Sequence, residues 1–322
     1  MNYRTSCNRE ILVRKLFKKW YPNHIIYWIN NIEDYAHILG HYKNSTKKNF
    51  ILCQTEESVF CHSYNRLKTA RIKLAHSKFW SKDSFIITNS KIDYEKFGKI
   101  INMRWLPGLL DLICYRGYDP NLVSISRDEI QYHTAFIYSI PHIGRKSVAN
   151  FLKNKQDKLS VFRYNDSTFI DTTDALTIFN TSRSAPFVNI LKDTAWSNKT
   201  AIVLSVENYH HGYARNNPNF APTLSEKTFK AMHLLRPALV FGGPGTREYL
   251  KHFGFDTWDW LIDWSFDYET DYKKSLTKYL LELDRLLKLD IDTITEKLID
   301  NQESLRWNQQ KIFKLIREYH KQ

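Results

Sequence analysis

Residues 225–255, SEKTFKAMHLLRPALVFGGPGTREYLKHFGF, constrain the fold more than any other stretch, because four structural signals follow one another without a gap. Phe229, Met232 and Leu235 recur at helical spacing and predict a helix beginning near Ser225. Arg236-Pro237 ends it, since proline cannot continue a helix and pushes the residue before it out of the α region. Residues 238–241, ALVF, form an apolar run suited to a strand buried on both faces. Gly242-Gly243-Pro244-Gly245 then turns the chain, with Pro244 expected at a first helical position and Gly254 at the closing cap. Leu250 and Phe253 are expected to face the core. Such a unit belongs to α/β folds, which bind nucleotides at strand carboxyl ends and helix amino ends.

The 322 residues leave room for about two domains, and 43% hydrophobic content argues against disorder. Strands are expected at 24–28, 49–53 and 84–87, then at 134–140 with a helix over 146–152. Further β-like patches surround Phe162 and Phe169, and residues 201–206 lead to Glu207. Residues 208–222, rich in Asn, Pro and aromatics, read as a loop of the length that often forms a lid. Leu276, Leu280, Leu283 and Leu287 mark a helix, and Thr293-x-x-Glu296 reads as the capping box of a last one running to about Tyr319. The expected layout is a basic N-terminal domain (1–130), a second α/β domain (131–268) and C-terminal helices (269–322). Those helices either pack back on the N-terminal domain or pair two copies as a homodimer.

Charge is uneven. Residues 1–100 hold 18 Lys and Arg against 8 Asp and Glu, a net of +10, whereas residues 201–322 hold 17 of each. A basic half implies a polyanionic partner such as nucleic acid, an acidic glycan or a membrane surface; the plain reading is a basic soluble protein without one. The densest stretch is RLKTARIKLAHSK, with Arg66, Lys68, Arg71, Lys73 and Lys78 expected along one helix. As a cluster it is the best candidate for phosphate contacts, although each residue alone suits a solvated face equally. Residues 10–20 form an amphipathic helix with a basic face. No apolar run approaches the ~18–20 residues of a membrane span, and the N-terminus lacks the apolar core of a signal peptide. Cys7, Cys53, Cys61 and Cys114 are scattered and read as reduced thiols of a cytoplasmic protein, with no zinc site.

The S-E-K-T-F-K helix, the strand after it, the G-x-P-G turn and the closing G-F resemble the donor-binding half of GT-B glycosyltransferases, in particular the fucosyltransferase-like group and its phage-encoded relatives. Glu207 and the segment Asp263-Trp264-Ser265-Phe266-Asp267, similar to an acidic D-x-S-[YF]-D motif, extend the resemblance over residues 201–267. It implies an α/β chain of two Rossmann-like domains facing across a cleft, with C-terminal helices, that uses a nucleotide-sugar donor and no cofactor. It also implies that Glu226 and Lys227 contact the donor, that a basic residue near Arg145 contacts its phosphates, and that an N-domain carboxylate is the general base. Glu56 or Glu57, just past the strand at 49–53, takes that last place by position.

The residues allow this chemistry. Ribose hydroxyls need an acceptor such as a carboxylate, and a diphosphate needs cations or helix N-terminal amides. The leaving nucleotide gains negative charge, so the same donors stabilise the transition state. Glu226 and Lys227 can meet the first two needs, and Gly242-Gly243 allows close approach to a ligand. Other roles fit the same residues. Thr223-x-x-Glu226 is itself a capping box, Lys227 suits solvent, Arg145 suits a surface helix start, and Glu56 or Glu57 suits the positive end of the next helix. Asp263 and Asp267 suit a solvated loop. No D-x-D stands at a strand end, which favours metal-independent transfer, and His210-His211 is a weak metal signal. An anionic acceptor, such as DNA with a hydroxymethylated base or an acidic glycan, fits the +10 half. A nucleic-acid-binding protein on a transferase-like scaffold, without catalysis, is the competing reading.

Overall fold

Two sheets of parallel strands order the chain. The computed structural model describes residues 17–19, 21–28, 32–43, 46–54, 73–74, 76–88, 102–103, 125–138, 143–164, 167–169, 198–207, 224 and 226–321. The first sheet has four parallel strands in the order β1 (His24–Trp28), β2 (Asn49–Gln54), β3 (Phe85–Thr88), β4 (Asn102–Met103), with α1 (Ile32–Tyr42) between β1 and β2. The wholly apolar FILC segment of β2 explains its place between two neighbours, for both faces and both edges of such a strand are covered. Phe50 stacks on Trp80 at 5.5 Å between centroids, and Phe79 packs edge-on against Phe50, so an aromatic floor underlies the start of β2.

The second sheet has five strands. They are β5 (Tyr132–Tyr138), β6 (Leu159–Tyr164), β7 (Ser167–Phe169), β8 (Thr200–Val206) and β9 (Ala238–Phe241), in the order β7-β6-β5-β8-β9. Only β7 runs antiparallel. Helix α2 (Ile143–Leu152) links β5 to β6, and α3 (Glu226–His233) lies between β8 and β9. The chain leaves β5 toward β6 and later returns on the other side as β8, so the strand order reverses between β5 and β8. Every residue of β8 and of β9 is buried.

After β9 come α4 (Thr246–His252), a 3-10 turn at Trp264–Phe266, and three helices, α5 (Tyr272–Lys288), α6 (Ile291–Asp300) and α7 (Gln302–Lys321). These last helices close the second sheet's own core. Tyr279, Leu283, Leu286, Ile294, Leu298, Leu305 and Ile312 belong to the buried cluster that starts at Ile130. Tyr279 also donates its hydroxyl to the Leu239 carbonyl, and Gln309 donates to that of His233.

Several sequence expectations need correction. Pro244 is not the first helical residue; α4 starts at Thr246, and Gly245 caps it at φ 82°. Thr293 is not a cap either. It lies inside α6, whose cap is Asp290, and Glu296 is paired with Arg127. The basic segment does not stay helical to Lys78. Ser77 donates both its amide and its hydroxyl to Leu74, and Lys78 lies in the turn that follows. Gly254 does close α4: its amide reaches Lys251, that of Phe255 reaches Leu250, and both apolar partners are buried. The end of α3 repeats this geometry with a leucine. Leu235 sits at φ 52°, which costs about 1–2 kcal/mol for a side chain with Cβ. Burial of its side chain, worth about 1.5–3 kcal/mol, offsets that cost.

Arg236, which the sequence marked only as a helix end, is fully buried. Its guanidinium donates to the carbonyls of Thr200, Asn198, Leu234 and Leu235, tying the start of β8 to the end of α3. Burial pulls its pKa down to about 10, partly offset by Glu129, so it stays charged near neutrality. Arg236→Met is expected to lower the unfolding free energy by about 3 kcal/mol or more, because a buried carbonyl left unpaired costs ~1–3 kcal/mol. Urea denaturation measures it, and a loss under about 1 kcal/mol would contradict the assigned role.

Candidate functional site

In open α/β sheets, ligands bind outside the strands' carboxyl ends where the strand order reverses. In the second sheet that point lies between β5 and β8, and three of the expected donor residues gather at its β8 side. Arg145, in the first turn of α2, is 3% exposed and donates its Nε to the carbonyl of Val206, the last residue of β8, at 3.0 Å. It is therefore not a surface arginine. The helix presents it by the spacing of its buried residues Arg145, Val148, Ala149 and Leu152.

Glu207 follows Val206 and is 1% exposed. Its Oε1 accepts the hydroxyls of Ser205 and Thr228, each at 3.0 Å, and those two hydroxyls also meet each other at 2.9 Å. Thr228 stands in the first turn of α3, so this bond pins the amino end of α3 to the carboxyl end of β8. Lys227, next to it, is half-buried. Glu226 opens α3, and its side chain lies outside the described residues. The Glu207 amide donates to the Phe241 carbonyl at 3.1 Å, which brings the glycine turn alongside.

Within that turn the structure changes the expected role of glycine. A Cβ on Gly242 would come within 2.2 Å of Thr246 Oγ1, so the room that Gly242 leaves is filled by the protein's own threonine. Gly243 accepts from the same hydroxyl at 2.7 Å. The α4 amino end is also occupied. Asp267, 2% exposed, takes the amides of Thr246 and Arg247 on its two carboxylate oxygens at 3.1 and 2.9 Å. The solvated reading thus fails for Asp267, which is buried, while Asp263 is exposed. Asp267 caps α4, and Asp263 caps the 3-10 turn through the Ser265 amide while its own amide donates to Glu282.

Glu56, Glu57, Arg66, Lys68, Arg71 and the pair His210-His211 lie outside the described residues. Lys73 and Lys78 are described, and both are exposed on the side of the first sheet. Ser205, Thr228 and Asp267 were missed as partners. Only Ser205 left a local signal, since residues i and i+2 of a strand share a face with Glu207. Among the described residues no group of three or more His, Cys, Asp or Glu is placed to hold a metal ion. Nor is any helix among them long and apolar enough to cross a membrane.

An open cavity of about 620 Å³ lies elsewhere, lined by Arg247, Asp259, Trp260, Asp263, Tyr268 and Arg285 among others. Neither Arg145, Glu207, Lys227 nor Gly243 borders it. Its charges are internally paired, Arg247 with Asp259 and Glu248, and Arg285 with Glu282. We place the candidate site at the β8 edge because the strand-order reversal coincides there with the buried Arg145 and Glu207, whereas the cavity lies away from that reversal.

Comparison with protein-family models, with curated proteins and with solved structures returned no match.

Two predictions follow the site's local chemistry. Asp267→Ala is expected to cost about 1–2 kcal/mol of stability, the range for a lost N-cap, measured by urea denaturation. Asp259 is held well below the usual carboxylate range by Arg247, against the effect of burial, with help from Thr257 and Lys251. A carboxyl depressed in the folded state stabilises it fully above its unfolded pKa near 3.8 and loses that contribution as pH falls below it. Asp259→Asn is therefore expected to flatten the acid limb of stability below about pH 4. The loss is largest at pH 7, where it should stay within about 1 kcal/mol because Asp259 is exposed and Arg247 half-buried, and it shrinks toward pH 3. Parallel melts at pH 7 and pH 3 decide it.

Proposed function

We propose that the chain is a GT-B-like glycosyltransferase that holds a nucleotide-sugar donor at the carboxyl edge of β8 and β9. The supporting observation is the convergence of Arg145, Glu207 and the amino end of α3 at the strand-order reversal. In this reading Lys227 and Arg145 face the diphosphate, Glu226 accepts from the ribose, and Glu207 fixes α3 through Thr228. The acceptor hydroxyl attacks the anomeric carbon, and the bond from that carbon to the diphosphate oxygen breaks. The nucleoside diphosphate leaves with the electron pair, stabilised by the cations and helix amides. The acceptor proton passes to a carboxylate of the first domain, Glu56 or Glu57. The acceptor is anionic, as the basic first domain suggests, and a hydroxylated DNA base fits. No metal or cofactor enters this scheme.

A second reading is favoured by one feature of the site. Glu207 Oε1 and the α4 amino end are both committed to protein groups, as in a scaffold that has kept its framework without transfer. That protein would bind nucleic acid and no nucleotide sugar.

Thermal stabilisation by a panel of nucleoside diphosphates and nucleotide sugars separates the two. A donor at about 100 times its Kd adds roughly 2.7 kcal/mol, and the shift should vanish in Lys227→Ala while the unliganded melting temperature holds. No shift with any nucleotide would support the second reading.

A further inference from the structure

We propose that the amino-terminal edge of the first sheet is a docking surface for the phosphate backbone of duplex DNA, separate from any site at the strands' carboxyl ends. The surface consists of Lys18, Lys19, Lys47, Lys48, Lys78 and Lys82, all exposed. It shares a nucleic-acid partner with the proposed function but not its chemistry, and it stands if no sugar is transferred.

Topology brings these lysines together. Strands β1, β2 and β3 run parallel and nearly level, His24 opposite Asn49 and Ile51 opposite Phe85. Segments entering the three strands therefore meet at one edge. Lys48 and Trp80 form a parallel bridge, closed by Lys48 N–H to the Phe79 carbonyl at 2.7 Å and Ser81 N–H to the Lys48 carbonyl at 3.2 Å. Lys47, Lys78 and Lys82 all lie within two residues of that bridge. On the β1 side, Lys18 Nζ reaches the carbonyls of Pro22 and His24, and the His24 ring meets the Asp83 carbonyl at 3.1 Å. Buried side chains hold the loops from below: the Ser84 hydroxyl bridges the Phe50 amide and the Lys48 carbonyl, and Trp80 stacks on Phe50. The edge is fixed before a ligand arrives.

Among the described residues its charge is largely uncompensated. In described segments 17–19, 21–28, 46–54 and 76–88 the only acidic residue is Asp83. Among the described residues Lys47, Lys48, Lys78 and Lys82 enter no ion pair, whereas Arg247, Lys251, Lys278 and Arg285 beyond the second sheet each pair with a carboxylate. The cations of that half that enter no ion pair among the described residues, such as Lys273 and Arg306, are not gathered at one sheet edge. Six lysines within one edge repel one another unless an anion of matching charge density lies over them.

Chemistry narrows the anion. A membrane surface would be gripped by exposed apolar side chains beside the lysines, but Phe79 and Trp80 are buried and, among the described residues, none of the exposed large hydrophobics belongs to this edge. The same burial takes Phe79 and Trp80 away from the bases of a single strand, and the half-buried Tyr21 is packed against His24 and Phe85. Exposed lysines with no fully exposed aromatic beside them among the described residues suit sequence-independent contact with duplex phosphates. The six residues of β2, at ~3.3 Å each, put its carboxyl end roughly 17–20 Å from the lysines. A duplex held here leaves that end of the sheet open.

The test measures binding of a random-sequence DNA duplex to the full chain by fluorescence anisotropy between 50 and 400 mM salt, without nucleotide sugar. Each phosphate contact contributes a slope of about −0.9 in log K against log salt, or ~8-fold at 0.1 M. Combined Lys47→Ala, Lys48→Ala, Lys78→Ala and Lys82→Ala is expected to make the slope shallower by about 2–4 and to weaken binding by ~60-fold or more, with an unchanged melting temperature. The same charge removed by Lys273→Ala, Lys274→Ala, Lys297→Ala and Arg306→Ala should change the slope by less than 1. Equal losses in both variants, no loss in the first, or capture by vesicles of anionic lipid with no duplex binding would each overturn the proposal.

Discussion

The second sheet depends on a strand that is closed by a buried charge at each end. Strand β8 is apolar through its middle and buried along its whole length, with β5 on one side and β9 on the other. At its start Arg236 gathers the carbonyls of Thr200 and Asn198, and at its end Arg145 takes the carbonyl of Val206. Removing such groups from water costs several kcal/mol each, and hydrogen bonds to fixed acceptors must offset most of it. What the arrangement supplies is register: a slip of β8 by one residue would leave these charges unpaired in the core. Helices α2 and α3 are thereby fixed at the same edge, which makes that edge a preorganised place for a ligand.

The two ends of the parallel sheets have different chemistries. At the carboxyl edge of the second sheet, cations and a carboxylate are few, buried and bonded to particular atoms, as recognition of one small molecule requires. At the amino edge of the first sheet, lysines are many and exposed, and among the described residues they enter no ion pair, which suits a long polymer and no particular sequence. Burial marks the difference more clearly than residue type does.

Elements carried by contiguous residues were legible in the sequence. The ALVF strand, the 201–206 strand and the Gly254 cap each follow from an apolar run or a glycine, and the structure has them where expected. The α/β class and the parallel strands followed from these local signals. What was not legible depends on partners far along the chain. Pro244 is displaced from the helix start because Asp267, 23 positions later in the sequence, caps the helix at Thr246 and Arg247. Thr293 resembles a cap, yet Asp290 starts α6 earlier and Glu296 is drawn to Arg127. Arg236 read as a helix end because nothing local shows that four carbonyls converge on it. At the site, Glu207 and Arg145 were nameable from position, but the Ser205 and Thr228 hydroxyls that hold Glu207 appear only once β8 and α3 are brought together.

The central claim is that the carboxyl edge of β8 and β9, and not the open cavity beside Arg247, receives the small ligand. Hydrogen–deuterium exchange of the full chain, with and without a saturating nucleoside diphosphate from the stabilising panel, tests it most directly. The account predicts slowed exchange at residues 143–147, 226–230 and 242–245, with residues 259–265 unchanged. Protection confined to residues 259–265 and 285, or none at the β8 edge with any nucleotide, would contradict it.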